Sequence, residues 1–325
     1  MDNVCHTLVG AAVARTGLDR KTAMALPTGI IAANLPDLDV LVFLTDIPSV
    51  AFRRGITHGL PAQVLLPIAC AGAMWALGQR RARGAGANAP SGAPPHFGWL
   101  LGLSYIGVLS HVFLDFLNSY GIRLLSPLSQ RWFYGDAVFI VDVWLWLVLG
   151  SALVISRALR SKNALRTAPL DAATRARRAV LAGLILAAAY VAAMLVSGGM
   201  AHRIVREAWI ARTGTAPRAL MVGPVPLTPF RRTIIVDAGD RYIEGTFRWF
   251  PARVVFVDAP TPKNDDLPQL EAARRDAVVR GILVWSRFPF WTAREVPAGT
   301  EVTLRDMRFR SLDRGGFAAT TLVPR

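Results

Sequence analysis

Residues 98–120 read GWLLGLSYIGVLSHVFLDFLNSY, an apolar run that carries one histidine, His111, and one carboxylate, Asp115. Four residues apart on a helix, these two side chains project from the same face. Burying an imidazole and a carboxylate in apolar surroundings costs free energy unless a polar or charged partner compensates for it. A divalent metal ion is one such partner, since neutral histidine and ionised aspartate are both metal ligands. The pattern fits a pair of metal ligands, and it fits equally a His–Asp hydrogen bond that ties two helices together.

The composition indicates that the chain lies largely in a membrane. Of its 325 residues, 53% are hydrophobic and only 18% are charged, which is more apolar than an ordinary soluble domain. Two cysteines, Cys5 and Cys70, are too few for a disulfide framework or a cysteine-rich zinc site. No cleaved signal peptide is expected, because the N-terminal residues lack the charged, apolar and small-residue regions of one.

Apolar segments recur along the first 199 residues. The second segment is interrupted at Asn34-Leu35-Pro36-Asp37-Leu38-Asp39, where the proline removes a helical donor and disfavours helix at the residue before it. Such a break is tolerated at membrane depth only where it lines a cavity in the protein. We therefore predict an α-helical polytopic membrane domain of about five or six segments, the first two short or broken. The segments are residues 3–14, 24–44, 60–78, 98–118, 137–156 and 179–199.

The pattern changes near residue 200. Short runs of β-branched and aromatic residues, such as 232–237 and 253–257, are separated by Gly, Pro and Asp, which is typical of strands and turns. The sequence thus predicts two domains: a membrane-embedded domain over residues 1–199 and a β-rich soluble domain over residues 200–325. Residues 79–97, rich in Gly, Ala and Pro, are predicted to be a linker within the first domain.

The basic residues of the short loops predict the orientation. Residues 157–178 contain seven basic residues and one acid, which places this segment in the cytoplasm. Alternating from there, the predicted inner loops carry thirteen basic residues and the short outer loops carry four. The net charge of +15 is then explained largely by topology, so nucleic acid is not expected as a partner. The same alternation places the β-rich domain outside the cytoplasm.

This topology brings polar residues from separate segments to one outer membrane level. Imidazoles and carboxylates there are sufficient for one or two divalent ions, which could activate a water molecule and hold a phosphoryl group. Arg54, or its neighbour Arg53, could bind the anionic oxygens of such a substrate. We predict Arg54, Asp39 and Asn34 as catalytic residues. The predicted metal ligands are His6, Asp37, His58, His111 and Asp115.

Each of these residues also has a structural interpretation. His6 could be an interfacial histidine, and the carboxylates at the break could cap helices. The two arginines could bind lipid headgroups. Asp136 and Asp142 could pair with arginines of the outer loop or touch the metal site, and the sequence leaves their roles open.

Taken together, the motifs resemble a known family, the bacterial inner-membrane metal-dependent hydrolases, some of which are labelled LexA-binding. The resemblance covers roughly residues 1–160, and it implies a hydrolase in the inner membrane. The motifs that carry it are His6, Ala33-Asn34-Leu35-Pro36-Asp37-Leu38-Asp39, Arg54-Gly55-Ile56-Thr57-His58-Gly59, His111-x-x-Leu114-Asp115 and Trp132-Phe133-Tyr134-Gly135-Asp136.

A more distant likeness is to zinc-dependent phospholipase C, in which His, Asp, His and a His-x-x-x-Asp helix supply ligands in that order. This likeness implies zinc, as one or two ions, and hydrolysis of a phosphoester. The sequence departs from that pattern because it lacks an evident further His/His/Glu set downstream.

Two functions follow as hypotheses. The first is a membrane-bound metal-dependent hydrolase that attacks a phosphoester or lipid-linked substrate at the outer membrane face. The alternative is a non-enzymatic membrane protein with a structural or ion-binding polar core and an outer domain that binds a partner. A repressor- or DNA-binding protein, suggested only by the label on some relatives, would need a larger cytoplasmic surface than this topology provides.

Overall fold

The computed structural model describes residues 1–45, 47–85, 93–160, 169–310 and 317–325. An N-terminal helical region is followed by a C-terminal domain of antiparallel sheets, as the sequence predicts. The helices of the N-terminal region are α1 (Asn3–Arg15), α2 (Ala25–Asn34), α3 (Ser49–Phe52), α4 (Leu60–Ala85), α5 (Phe97–Phe116), α6 (Val143–Leu159) and α7 (Pro169–Thr213).

Four helical segments in the described residues are long and apolar enough to cross a membrane. They are Ala25–Leu44, Leu60–Gly84, Phe97–Phe116 and Asp171–Thr213. Helices α1 and α6 are shorter, with 13 and 17 residues. The prediction of a polytopic membrane domain is therefore confirmed.

The second segment is broken at the proline. Helix α2 ends at Asn34, and a 3₁₀ helix follows over Leu35–Leu44 with Pro36 in its first turn. In this 3₁₀ helix the carboxylates Asp37 and Asp39 are buried, while apolar side chains on the other side are exposed. The break therefore directs two carboxylates into the protein and leaves apolar residues to contact lipid.

Glycines allow the helices that carry the polar residues to approach each other closely. A Cβ atom at Gly10 of α1 would overlap the backbone of Gly29 in α2, and one at Gly107 of α5 would overlap Ala32 and Ala33. Small residues at such crossings let helix backbones pack directly in a membrane. Helix α2 is thus held between α1 and α5.

Two predicted boundaries differ from the structure. The fifth segment, predicted to begin at Ala137, begins as helix only at Val143, because the Asp142 carboxylate caps it by accepting from Trp144 N and Leu145 N at 3.1 Å. The predicted linker over 79–97 begins within α4, which continues to Ala85. Residues 86–92 of this linker and residues 161–168 of the predicted cytoplasmic segment lie outside the described residues.

Helix α7 joins the two parts of the protein. It has 45 residues, equivalent to about 68 Å at 1.5 Å per residue. The predicted division between residues 199 and 200 falls inside this helix, and the first strand begins only at Ala219. The assignment of two domains at that boundary stays a prediction.

The C-terminal domain contains two antiparallel sheets. The first has the order β1-β2-β3-β4, with β5 also paired to β3, and the second has the order β6-β7-β8. Short helices α8 (Leu270–Ala273) and α9 (Ala277–Trp285) precede the second sheet. The strands are β1 (Ala219–Val225), β2 (Thr228–Asp237), β3 (Arg241–Arg248), β4 (Arg253–Phe256), β5 (Thr261–Pro262), β6 (Pro289–Val296), β7 (Gly299–Asp306) and β8 (Ala318–Pro324).

The C-terminal domain packs directly on the loop that follows α5. The Trp285 indole donates to the Tyr120 carbonyl at 3.2 Å, and the Arg308 guanidinium donates to the Ser119 carbonyl at 2.8 Å. Tyr120 lies in one apolar cluster with residues of the second sheet. The β-rich domain therefore lies against the end of α5 that carries His111 and Asp115.

Candidate metal centre

Separate segments deliver the predicted polar residues to one buried place. Helix α1 contributes His6, the 3₁₀ helix after α2 contributes Asp37 and Asp39, and a second 3₁₀ helix over Ile56–His58 contributes His58. Helix α5 contributes His111 and Asp115, one turn apart. All six side chains are buried.

Four of these residues form a compact group: Asp37, His58, His111 and Asp115. One candidate ligand atom from each lies within 4.8 Å of all the others. The two imidazole Nε2 atoms are 3.1 Å apart. The Asp115 Oδ2 atom is 3.3 Å from Nε2 of His58 and 3.7 Å from Nε2 of His111, while Asp37 Oδ1 is 3.9 Å from the latter. This Asp–His–His–Asp group could bind a metal ion.

The hydrogen bonds of the two histidines constrain which ring nitrogens carry protons. Nδ1 of His111 lies 2.7 Å from the Ala33 carbonyl oxygen, which can only accept, so this nitrogen is the donor. Nδ1 of His58 lies 2.9 Å from Thr57 Oγ1, whose own hydroxyl points to Asp39 at 3.3 Å. When the Thr57 hydroxyl donates to Asp39 and accepts from His58 Nδ1, both Nε2 atoms of the neutral rings carry lone pairs that face each other. With these tautomers, a metal ion or a proton between the two nitrogens would satisfy both lone pairs.

His6 lies beside the four residues of this group and is buried with them. Its ring stacks on that of His111 with centroids 3.7 Å apart, and its Nε2 lies 3.4 Å from Asp115 Oδ1. Neither ring nitrogen has a hydrogen-bond partner among the described residues. A buried polar group without a partner is costly, typically about 1–3 kcal/mol. His6 therefore fits the predicted role of an additional ligand beside the four.

Arg54 is held tightly on the far side of Asp115. Its Nη2 donates to Asp115 Oδ1 at 3.1 Å, and its Nε lies 2.8 Å from Oδ2. Nη1 donates to the Asn118 side chain at 2.9 Å, and the guanidinium stacks over the Tyr120 ring at 4.6 Å. The Met1 amino group also contacts Asp115. Arg54 is thus placed to orient Asp115, and its predicted role as a catalytic residue stays a prediction.

Arg53, the alternative anion-binding residue, is the more accessible of the two arginines. Its side chain is 27% exposed, compared with 4% for Arg54. It makes only long contacts, 3.4 Å from Nη2 to Asp37 Oδ1 and 3.4 Å from Nε to Asp39 Oδ1. Arg53 therefore lies between the buried group and the surface.

The structure places the other two predicted catalytic residues differently. Asp39 accepts from the Arg54 backbone N–H at 2.7 Å and from Thr57, so it supports the loop that carries His58. The Asn34 amide donates to Thr7 Oγ1 at 3.0 Å and to the Ile30 carbonyl at 2.8 Å, both away from the metal-ligand group. Catalytic roles for these two residues stay predictions.

The two aspartates whose roles the sequence left open make structural contacts. Asp136 forms an ion pair with Arg287 of the C-terminal domain at 2.8 Å. Asp142 caps α6 and accepts from the Tyr190 hydroxyl at 2.9 Å. Sequence analysis did not identify Tyr120 as part of the site's surroundings, because no motif marks a tyrosine that packs under an arginine.

Comparison with known proteins identifies a family for the helical region. No curated protein and no solved structure is significantly similar to the chain. One family, described as YdjM inner membrane protein, matches residues 1–201, which is more than half of the chain. The match contains every residue of the candidate metal centre and ends within α7, before the first strand. The predicted membership of a bacterial inner-membrane family is therefore confirmed: the chain belongs to the YdjM inner membrane protein family.

Proposed function

We propose that this protein is a membrane-bound metal-dependent hydrolase that acts on a phosphoester of a lipid or lipid-linked substrate at the outer face of the inner membrane. The observation that carries the proposal is the pair of Nε2 atoms of His58 and His111, which face each other between two buried carboxylates. A cation between the two nitrogens would satisfy both of them and would balance the carboxylates. The imidazole of His6 beside it, which has no hydrogen bond to another described residue and lies 3.4 Å from Asp115, supports a metal ion rather than a proton.

The donor set suits zinc. Nitrogen from imidazole and oxygen from carboxylate are ligands that zinc takes in catalytic sites, usually with a position left for water or substrate. A divalent ion held here would supply a water molecule of lowered pKa and would withdraw charge from a phosphoryl oxygen. His58 and His111 would hold the ion through Nε2, with their Nδ1 protons anchored by Thr57 and the Ala33 carbonyl.

Arg53 is the residue proposed to bind the anionic part of the substrate. Its hydrogen bonds to Asp37 and Asp39 are long, so a phosphate oxygen could replace them at small cost. A guanidinium presents paired donors that match a phosphate group. Arg54 would hold the Asp115 carboxylate in place rather than meet substrate, since it is buried and fully engaged.

The surroundings of the group support a substrate from the bilayer. The 3₁₀ helix that carries Asp37 exposes Leu38, Leu41 and Phe43 on its outer side. An exposed apolar surface next to a buried polar group suits a ligand with an apolar tail and a charged head. The outer location rests on the distribution of basic residues in the loops. Because the β-rich domain packs on Tyr120 at the same end of α5, it is proposed to be extracytoplasmic as well.

A second function is favoured by one specific observation. Asp115 is contacted by Arg54 and by the Met1 amino group, so part of its charge is balanced by the protein itself. This balance suits a non-enzymatic membrane protein in which a proton is shared by His58 and His111 in a structural or ion-binding core. The two functions differ in whether a stoichiometric metal ion is required.

Metal analysis of the purified full-length protein tests the proposal. We expect about one or two equivalents of zinc in the wild type, loss of zinc in His111→Gln, and retention in Asp142→Asn, which changes a buried carboxylate outside the group. Hydrolysis of a fluorescent phospholipid should stop on chelation and return when zinc is added. Absence of zinc, manganese and iron from the wild type would refute the proposal that this group binds a metal ion. Bound metal without hydrolysis of any phosphoester tested would refute the hydrolase function and favour the non-enzymatic protein with an ion-binding core.

A further inference from the structure

One end of the first sheet carries an exposed apolar cluster. The β1–β2 turn and the β3–β4 turn lie at the same end, because neighbouring strands of this sheet are antiparallel. Leu227 in the first turn is 69% exposed, and Phe250 in the second is 76% exposed. Phe230 is 53% exposed and packs edge-to-face on Phe250, with ring centroids 5.4 Å apart. Two aromatic rings and a leucine are thus exposed together rather than buried.

Three arginines lie in a row beside this cluster. Arg231 of β2 pairs with Arg248 of β3, and Arg248 pairs in turn with Arg253 of β4. Directly paired residues on neighbouring strands point to the same face of a sheet, so the three side chains share one face. All three are exposed, and none of their side chains has an ion pair or hydrogen bond with another described residue. Like charges directly opposite each other on neighbouring strands are destabilising, and a bound anion would relieve this repulsion.

This end of the sheet is at the level of the membrane helices. The Trp144 indole, in the first turn of α6, donates to the Leu227 carbonyl at 3.2 Å. The Trp249 indole donates to Ser197 of α7 at 2.8 Å. Ser197 lies inside an uncharged stretch of α7, residues 179–201. A helix of that length spans about 35 Å, slightly more than a hydrocarbon core of about 30 Å.

We propose that this end of the sheet enters the leaflet in which α6 begins. Leu227, Phe230 and Phe250 lie among the lipids at the interface, and the arginine row binds the phosphate groups of anionic lipids. Apolar and aromatic side chains beside basic ones are the usual composition of a membrane-contacting surface. The charge of the row selects anionic headgroups, and the position of the apolar cluster fixes the depth of the domain. This surface is separate from the candidate metal centre, so the inference does not depend on hydrolase activity.

Depth is tested with nitroxide labels on full-length protein in vesicles of phosphatidylcholine and phosphatidylglycerol. Labels are attached to Leu227→Cys, to Phe250→Cys and to a control, Asp240→Cys, which lies in the turn at the opposite end of the same sheet. Cys5 and Cys70 are buried, and the unaltered protein measures their background labelling. We expect the first two labels to collide mainly with oxygen dissolved in lipid and the control with a water-soluble nickel complex. If all three labels behave as the control, the inference is overturned.

Headgroup binding is tested by the lipid that copurifies with the protein. Phosphatidylglycerol should be enriched over phosphatidylcholine in the wild type, and the enrichment should fall at least about fivefold in a variant carrying Arg231→Gln, Arg248→Gln and Arg253→Gln. A charge-matched control carries Arg275→Gln, Arg294→Gln and Arg325→Gln, which are exposed residues outside the row. Equal enrichment in the two variants would overturn the role of the arginine row.

Discussion

Replacing Thr57 with valine removes one hydroxyl from the support of the candidate metal centre and keeps the volume of the side chain nearly constant. Thr57 Oγ1 lies 2.9 Å from His58 Nδ1 and donates to Asp39 Oδ2 at 3.3 Å, so it accepts from Nδ1 in the tautomer that leaves Nε2 free to bind a metal ion. Without it, the Nδ1 proton has only Asp39 Oδ2 nearby, at 3.6 Å, which is beyond a good hydrogen bond. The ring of His58 is then free to rotate or to change tautomer, and either change moves the lone pair on Nε2 away from the group.

Loss of such a supporting hydrogen bond typically weakens metal affinity by about 10–100-fold, which corresponds to about 1.4–2.7 kcal/mol. We therefore expect the dissociation constant for zinc to rise by that factor in Thr57→Val. Competition with a fluorescent zinc chelator in detergent measures the constant directly. The folded state can be checked at the same time from the intrinsic tryptophan fluorescence.

The matched control is Thr28→Val. Thr28 is a fully buried threonine of the helical region, whereas Thr57 is half-buried, and the hydroxyl of Thr28 donates to the Met24 carbonyl at 2.7 Å, outside the metal-ligand group. It should leave zinc affinity within about twofold of the wild type, since it orients no ligand. If Thr57→Val binds zinc as tightly as Thr28→Val, then the hydroxyl does not orient His58 and the tautomer assignment is wrong.

Three further predictions concern substrate binding, helix packing and pH. Arg53→Gln should raise KM for a phosphoester more than it lowers kcat, because Arg53 is proposed to bind the substrate anion, whereas Arg53→Lys should keep part of the affinity. Steady-state kinetics in vesicles measure KM and kcat separately, and an unchanged KM in Arg53→Gln contradicts the proposed role. Gly29→Ala should lower the yield and melting temperature of the protein, since its Cβ would overlap the backbone of α1. At Gly72 an added Cβ has open space, so Gly72→Ala should leave both unchanged, and equal behaviour of the two variants would refute the close approach of α1 and α2. Burial opposes ionisation of Asp306, but the charge of Arg308 and hydrogen bonds more than compensate and lower the pKa of Asp306. The stabilisation by ionised Asp306 is thus present above the unfolded pKa of about 4 and is lost as pH falls through the lower folded pKa. The decrease in melting temperature from pH 7 to pH 3 should therefore be smaller in Asp306→Asn than in the wild type, and an equal decrease argues against this linkage.

Much of the helical region is predictable from local patterns. Long apolar runs have to form helices in a membrane, because every backbone polar group there needs a partner within the chain. The break at Pro36 is a local property too, since proline cannot donate and restricts the residue before it. The boundaries of α6 and α7 were less accurate, because hydropathy marks neither Asp142 as a cap nor the continuation of α7 past its apolar stretch.

The geometry of the candidate centre was only partly predictable. Topology indicated that Asp37, His58, His111 and Asp115 lie at one membrane level, and in the structure they form one buried group. Depth along the membrane normal says nothing about which way a side chain points. Asn34 is predicted to lie at the same membrane level as the candidate ligands, yet its amide contacts Thr7 and Ile30 instead of the metal-ligand group.

By itself, the sequence determined the membrane segments, the β-rich character of the C-terminal domain and the candidate ligands, because hydropathy, proline and residue spacing act over a few turns of chain. Only the tertiary structure decided how His111 and Asp115 are used. It shows that Nδ1 of His58 lies beside Thr57 and Nδ1 of His111 beside a backbone carbonyl, and that the two Nε2 atoms face each other. It also shows that Arg54 is engaged by Asp115 while Arg53 remains accessible. These outcomes depend on contacts between segments that are distant in the chain, and the local sequence does not determine how such segments are oriented relative to one another.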